Sequence, residues 1–184
     1  MKLLVQGGAA VAGAMALLGC GLSASAADAP APIHWVRAIP MDFALEAVKA
    51  ALESCRAAGK HVSAGAVDHD GNMIAMLIDD GATEGGRQAL PLKLHMATLL
   101  QTTTQGNVER AAKEGFVHPE ISEETAIVSR FNDHFLVQGG AVAFKVGVDY
   151  LGAVAVAGAD EGTGPGSDHA CAMAGFNKVK DRLN

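Results

Sequence analysis

Cysteine is scarce, three among 184 residues, and that excludes a disulfide-dense miniature scaffold. Cys20 falls in an apolar leader, leaving Cys55 and Cys171 for the folded part. Neither sits in a CxxC spacing, so no zinc knuckle or dithiol motif is signalled. The two are expected to be small buried apolar residues, with one bridge between them as the alternative in an oxidising compartment. A basic surplus is missing too: 14 Lys and Arg face 20 Asp and Glu, a formal net charge of −6. Such a surface repels nucleic acid and anionic lipid, so no nucleic-acid partner is expected. The apolar runs are broken by Gln6 and several glycines before they reach the ~20 residues of a membrane span. The seven histidines show no HxxxH, HExxH or HxH spacing, which leaves no preformed zinc site. A GxSxG nucleophile elbow, a P-loop and internal repeats are also absent.

What is present begins with "MKLLVQGGAAVAGAMALLGCGLSASA", a lysine, an apolar middle and an Ala24-Ser25-Ala26 ending, which reads as an export signal over residues 1–26. Leu17-Leu18-Gly19-Cys20 also resembles a lipoprotein box, so anchoring through Cys20 is the alternative to a free periplasmic or secreted protein. A linker over 27–39 then precedes one domain over 40–184, long enough to bury a core. Pro40 opens a helical pattern carried by Leu45, Val48, Leu52 and Cys55 and ended by Gly59. "HVSAGAVD" and "NMIAMLID" flank His69-Asp70-Gly71-Asn72, a tight-turn signal in which both central residues can take positive φ, and so predict a β-hairpin. "QALPLKLHMATLLQTTT" predicts a buried helix beginning near Pro91. Asn107 to Glu114 predicts a short amphipathic turn or helix, and Ser122 caps a further helix through Phe131. "HFLVQGGAVAFKVGVDYLGAVAVAGA" predicts three antiparallel strands, and "HACAMAGFNKVKDRL" a last helix capped by Ser167 or Asp168. The sum is an α/β (α+β) protein: a five-stranded antiparallel sheet with helices packed against it.

Four aspartates crowd the hairpin. Asp68 and Asp70 lie at its turn, while Asp79 and Asp80 lie on the order of 25 Å away at its far end, so the two groups cannot share one metal. Turn formation accounts for most of them, though Asp68 and His69 are placed where they could face a ligand. Haem needs only one or two axial donors in an apolar pocket, so histidine spacing does not exclude it. His95, beside Met96 on the apolar helix, and His169, at a helix start, are candidate donors, each with an ordinary core or capping explanation. Lys93, inside an otherwise apolar helix, is open to three roles: snorkelling, binding a carboxylate, or working as an amine of lowered pKa. "GTGPGSD" reads as a connector, with an anion cradle as the alternative.

"GAVDHDGNMIA", Asp80-Gly81-Ala82, Lys93, Gly139-Gly140, and "LGAVAVAGA" followed by "DHACAMAG" with its Asp168, Ala172 and Gly175 spacing occur here in an order that resembles the GlcG/HbpS-like haem-binding family. That family includes the C-terminal domain of the PduO-type corrinoid adenosyltransferases, and the likeness spans nearly all of the mature chain. It implies a profilin-like sandwich, assembly into homo-oligomers, and a haem or related tetrapyrrole held in a pocket near the double glycine and the lysine-bearing helix. Lys93, His95, His69, Gly139, Gly140 and Asp168 are then the expected ligand-binding residues, with His95, His69 or His169 on the iron. Three positions depart from the pattern: Ile78 or a neighbour replaces an arginine, Val142 a proline, and Asn72 the hairpin histidine that ligates iron in the corrinoid-enzyme branch. The competing reading is a catabolic enzyme on a carboxylated small molecule, using Lys93, Asp68 and His95 or His69.

Overall fold

The computed structural model describes residues 36–113, 136 and 138–183. The leader, Cys20, the helix expected after Ser122 and nearly all of the strand expected over 134–138 lie outside them.

Helix α1 (Met41–Ala57) starts after Pro40, as the sequence predicts. Strands β1 (Ser63–Asp68) and β2 (Met73–Ile78) form the hairpin, followed by α2 (Glu84–Leu100) and α3 (Thr104–Lys113). Strands β3 (Ala141–Val146) and β4 (Asp149–Ala157) form a second hairpin, and α4 (Asp168–Val179) runs into a 3-10 turn over Lys180–Arg182. The sheet is antiparallel throughout, in the order β2-β1-β4-β3. It has four strands among the described residues where the sequence predicts five, and the segment predicted as the other, 134–138, lies mostly outside them.

Strand alternation divides the core in two. Ala64, Ala66, Val142, Phe144, Val154 and Val156 face α1 and α4, and Val67, Ala141, Ala143, Ala153, Ala155 and Ala157 face α2. The α2 face is carpeted with alanine because that helix lies close to the sheet: a Cβ on Gly86 would stand 2.8 Å from the Ala157 carbonyl oxygen. On the other face α1 and α4 are closer still, since a Cβ on Gly175 would collide with the backbone of Ala47. Cys55 and Cys171, both without exposed surface, join these helices in a disulfide with Cα atoms 5.5 Å apart. The expectation of two unlinked apolar cysteines is thereby corrected: the close crossing brings the sulfurs together.

Two local expectations also change. Helix α2 starts at Glu84, seven residues before Pro91, because the Thr83 hydroxyl accepts a hydrogen bond from Gly86 N at 3.1 Å and caps it. Glycines at 85 and 86 hid that start. In the β1–β2 loop only Gly71 has positive φ (85°). Asp68 replaces the second left-handed residue: its Oδ1 accepts from the amides of Asp70 and Asn72, both at 2.9 Å.

Candidate functional site

The expected residues fall in three places. Lys93, Gly139, Gly140 and Asp168 are brought together where α2, β3 and α4 meet. Lys93 is 1% exposed, and its Nζ donates to Asp168 Oδ2 at 2.6 Å and lies 3.5 Å from Glu161 Oε1. Asp168 is 2% exposed, and its Oδ1 accepts from Ala159 N at 2.9 Å. Of the three roles open to the lysine, the geometry selects carboxylate binding, but the carboxylate is the protein's own. The double glycine is required here: at Gly140, with φ 110°, a Cβ would meet Val156 O at 2.7 Å and Lys93 Nζ at 3.1 Å, and one on Gly139 would strike Gln105. Ser167, not Asp168, caps α4, its hydroxyl accepting from Ala170 N at 3.2 Å. "GTGPGSD" connects β4 to that cap, with Gly162 and Gly166 at positive φ.

His169 is next in sequence to Asp168, half-buried, and its Nδ1 is buried without a hydrogen-bond partner. Burial pushes its pKa below the ordinary value, opposed by the Glu109 carboxylate. The folded state thus binds this proton less tightly than the unfolded chain. Its contribution is complete above the ordinary histidine range near ~6.5 and is lost as pH falls through that range toward the lowered value. His169→Asn is expected to flatten the acid side of the stability profile, measured as the denaturation midpoint between pH 5 and 8. His95 is on the exposed face of α2.

His69 belongs to the third place, the opposite end of the sheet. Asp68 pairs with Gly152 and Ala64 with Val156, so the hairpin turn and the Lys93 pair are separated by four strand residues, about 13 Å. The acid, lysine and histidine of the competing enzyme reading are not brought together. Asp68 is committed to its turn, where Asn72 Nδ2 also donates to Oδ2 at 3.1 Å. Burial opposes ionisation of Asp68, but the hydrogen bonds from Asn72, Asp70 and Gly71 hold its pKa below the usual value.

Beside that turn lies an open cleft of about 280 Å³ between Val36, His69, Gln101, Val148 and Tyr150, with Arg37 and Asp149 paired at its lip at 3.2 Å. The His69 ring stands 6.1 Å from that of Tyr150. Tyr150 is 3% exposed, its hydroxyl is 3.0 Å from Thr98 Oγ1, and burial pushes its pKa up to about 12, so it stays a neutral phenol. His69 Nδ1 is 3.1 Å from Asp70 Oδ1. A carboxylate only accepts, so Nδ1 carries the proton of this contact, and in the neutral ring that leaves Nε2 with the lone pair a metal needs. Val148 and Val36 leave 90% and 59% of their surface in water. Arg37 and Tyr150 escaped the sequence reading because one sits in an apparent linker and the other in an apolar strand. A second unforeseen cluster, Arg56 and His61 around buried Asp79 at 2.9 and 3.2 Å, ties α1 to the end of β2.

Among the described residues no group of three or more His, Cys, Asp or Glu could hold a metal ion, and no helix is long and apolar enough to cross a membrane. The fold and the cleft define a three-layer α+β domain with one histidine presented to a half-open, partly apolar recess. Residues 39–177 match the family of haem-degrading proteins described as HbpS-like, and the chain belongs to that family. HbpS from Streptomyces reticuli, solved as a double mutant, superposes with a TM-score of 0.62 at 23% identity, covering 85% of this chain and 99% of that one. The Klebsiella pneumoniae protein ORFY gives 0.63 at 19%, covering 79% and 93%. A PduOC complex with haem gives 0.63 at 16%, covering 77% and 95%. No curated protein sequence matches the chain.

Proposed function

We propose that this protein is exported and binds haem, seating the tetrapyrrole against the cleft beside the β1–β2 turn with His69 Nε2 on the iron. The observation that carries this is the His69–Asp70 pair. Metal-bound histidines characteristically give their other N–H to such an acceptor, which fixes ring orientation and raises donor strength. The rest of the recess fits the ligand: Val36 and Val148 offer apolar surface that a flat macrocycle would remove from water, and Arg37 stands at the lip where a propionate would emerge. At about 280 Å³ the recess holds one side of a tetrapyrrole, not the whole. Family membership and the haem-bound PduOC neighbour support the same ligand. Bound haem supplies a redox-active iron; these residues hold and orient it. A pocket beside the double glycine has less support, because Lys93, Asp168 and Gln105 fill that space.

Titration of the mature protein with haemin should give a saturable Soret shift. His69→Ala should abolish or greatly weaken it, Asp70→Asn should weaken it about tenfold or more, and His95→Ala and His169→Ala should leave it unchanged. Absence of saturation in the native protein would overturn the haem reading.

Export is supported by the Cys55–Cys171 bridge, since such bonds persist in oxidising compartments. Mass analysis of the mature N-terminus distinguishes cleavage after Ala26 from lipidation at Cys20. Homo-oligomer formation is supported by β2, an uncharged strand at the sheet edge among the described residues, exposing Met73, Met76 and Ile78. Met76→Lys is expected to lower the mass measured by light scattering.

A further inference from the structure

A second recess, of about 230 Å³, opens on the other side of Arg37. We propose that it is a binding site for a small apolar monocarboxylate, received by the guanidinium groups of Arg37 and Arg182 over a floor of Phe43, Leu151 and Leu183.

The floor is apolar and buried: Leu151 is 3% exposed and Leu183 6%. Phe43 completes the floor, and the Arg182 guanidinium carbon stands 4.5 Å from its ring centroid. A ring or branched alkyl group entering here meets carbon on the floor and two cations at the rim. Both cations have partners, Arg182 with Glu46 and Arg37 with Asp149. Those pairs are half-exposed, with 46% of each arginine side chain accessible, and ion pairs in water are weak. Each of the two hydrogen bonds uses a single terminal nitrogen, while a guanidinium has five N–H donors in a fork that fits a carboxylate. An incoming acid can therefore be received without first breaking either pair.

Size sets the ligand class. At about 230 Å³ the recess lies below the ~300–1,000 Å³ of pockets for drug-sized ligands, on the scale of benzoate or a branched short-chain acid. A whole tetrapyrrole is too large for it, as for the neighbouring cleft, and the propionate edge of one bound there carries the same chemistry. The family match stops at residues 39 and 177, so both arginines come from the flanks. The floor residues Phe43 and Leu151 fall inside the matched region, so the recess joins shared framework to flanking cations.

The test titrates benzoate and its neutral analogue benzamide onto the full mature chain and follows the Arg182 Nε–H and the Leu151 and Leu183 methyl resonances. Saturable shifts with benzoate and none with benzamide are expected. Binding should be at least tenfold weaker in Arg182→Gln and Arg37→Gln, with an intermediate loss in Arg182→Lys, which keeps the charge without the fork. Benzoate shifts that never saturate, or that are unchanged in Arg182→Gln, overturn the proposal. Repeating the haemin titration on Arg182→Gln assigns the source: weaker haemin binding identifies a propionate, and unchanged binding a free acid. The benzoate arm needs no haem, so its failure and that of the haem reading are separately visible.

Discussion

Lys93→Met is expected to destabilise the protein by about 3–5 kcal/mol because it strands the buried Asp168 carboxylate, and Asp168→Leu by less, because Lys93 keeps Glu161 at 3.5 Å. Lys93 and Asp168 are 1% and 2% exposed, and the carboxylate that would be left also serves Ala159 N. For a chain of this length the loss corresponds to a midpoint shift on the order of 10 °C. The double variant Lys93→Met/Asp168→Leu should recover most of it, since a buried pair replaced by apolar side chains of similar volume is often neutral. Thermal or urea denaturation of the three variants forms the cycle that measures this coupling. If the single variants are no less stable than the double, the pair is not the lock between α2 and α4 that its geometry describes. Haemin affinity should survive in the folded variants, as His69 lies about 13 Å along the strand.

The second large effect concerns the bridge. Cys55 and Cys171 are 116 residues apart, and closing a loop of that length removes about 4–5 kcal/mol of unfolded-chain entropy in the loop-closure account. Cys55→Ala/Cys171→Ala is expected to lose an amount of that order, plus a smaller packing term. Reductant supplies the internal control. The native protein should unfold at lower denaturant concentration when reduced, and the double variant should be indifferent. Equal midpoints for the native protein with and without reductant would show that the bond contributes nothing.

The parts legible in the sequence are those written by local rules. The apolar spacing after Pro40 gave α1, and Asp-Gly between β-rich runs gave the first hairpin. The ordered set of Lys93, Gly139-Gly140 and Asp168 named three groups that do meet. Their purpose was less legible, because spacing cannot distinguish a lysine awaiting a ligand's carboxylate from one already paired across 75 residues. The Cys55–Cys171 bond was hidden for a like reason: it depends on how closely two helices cross, which Gly175 and Ala47 permit but do not announce. The start of α2 was missed because two low-propensity glycines outweighed one capping threonine. Arg37 was invisible, since its importance comes from docking of the preceding chain, where Ile39 N donates to Leu151 O at 2.9 Å.

One residue in β4 has consequences for both recesses. Phe144 pairs with Gly152 and Lys145 with Tyr150, so Leu151 is an extra residue in that strand. Its insertion inverts the alternation: Tyr150 points to the α2 side, Leu151 to the α1 side, and Gly152, at φ 139°, absorbs the kink beneath the Val67 carbonyl. The two hollows are thus back-to-back products of one stutter in the pleat. A strand without it would turn the phenol and the leucine the other way and erase both hollows at once.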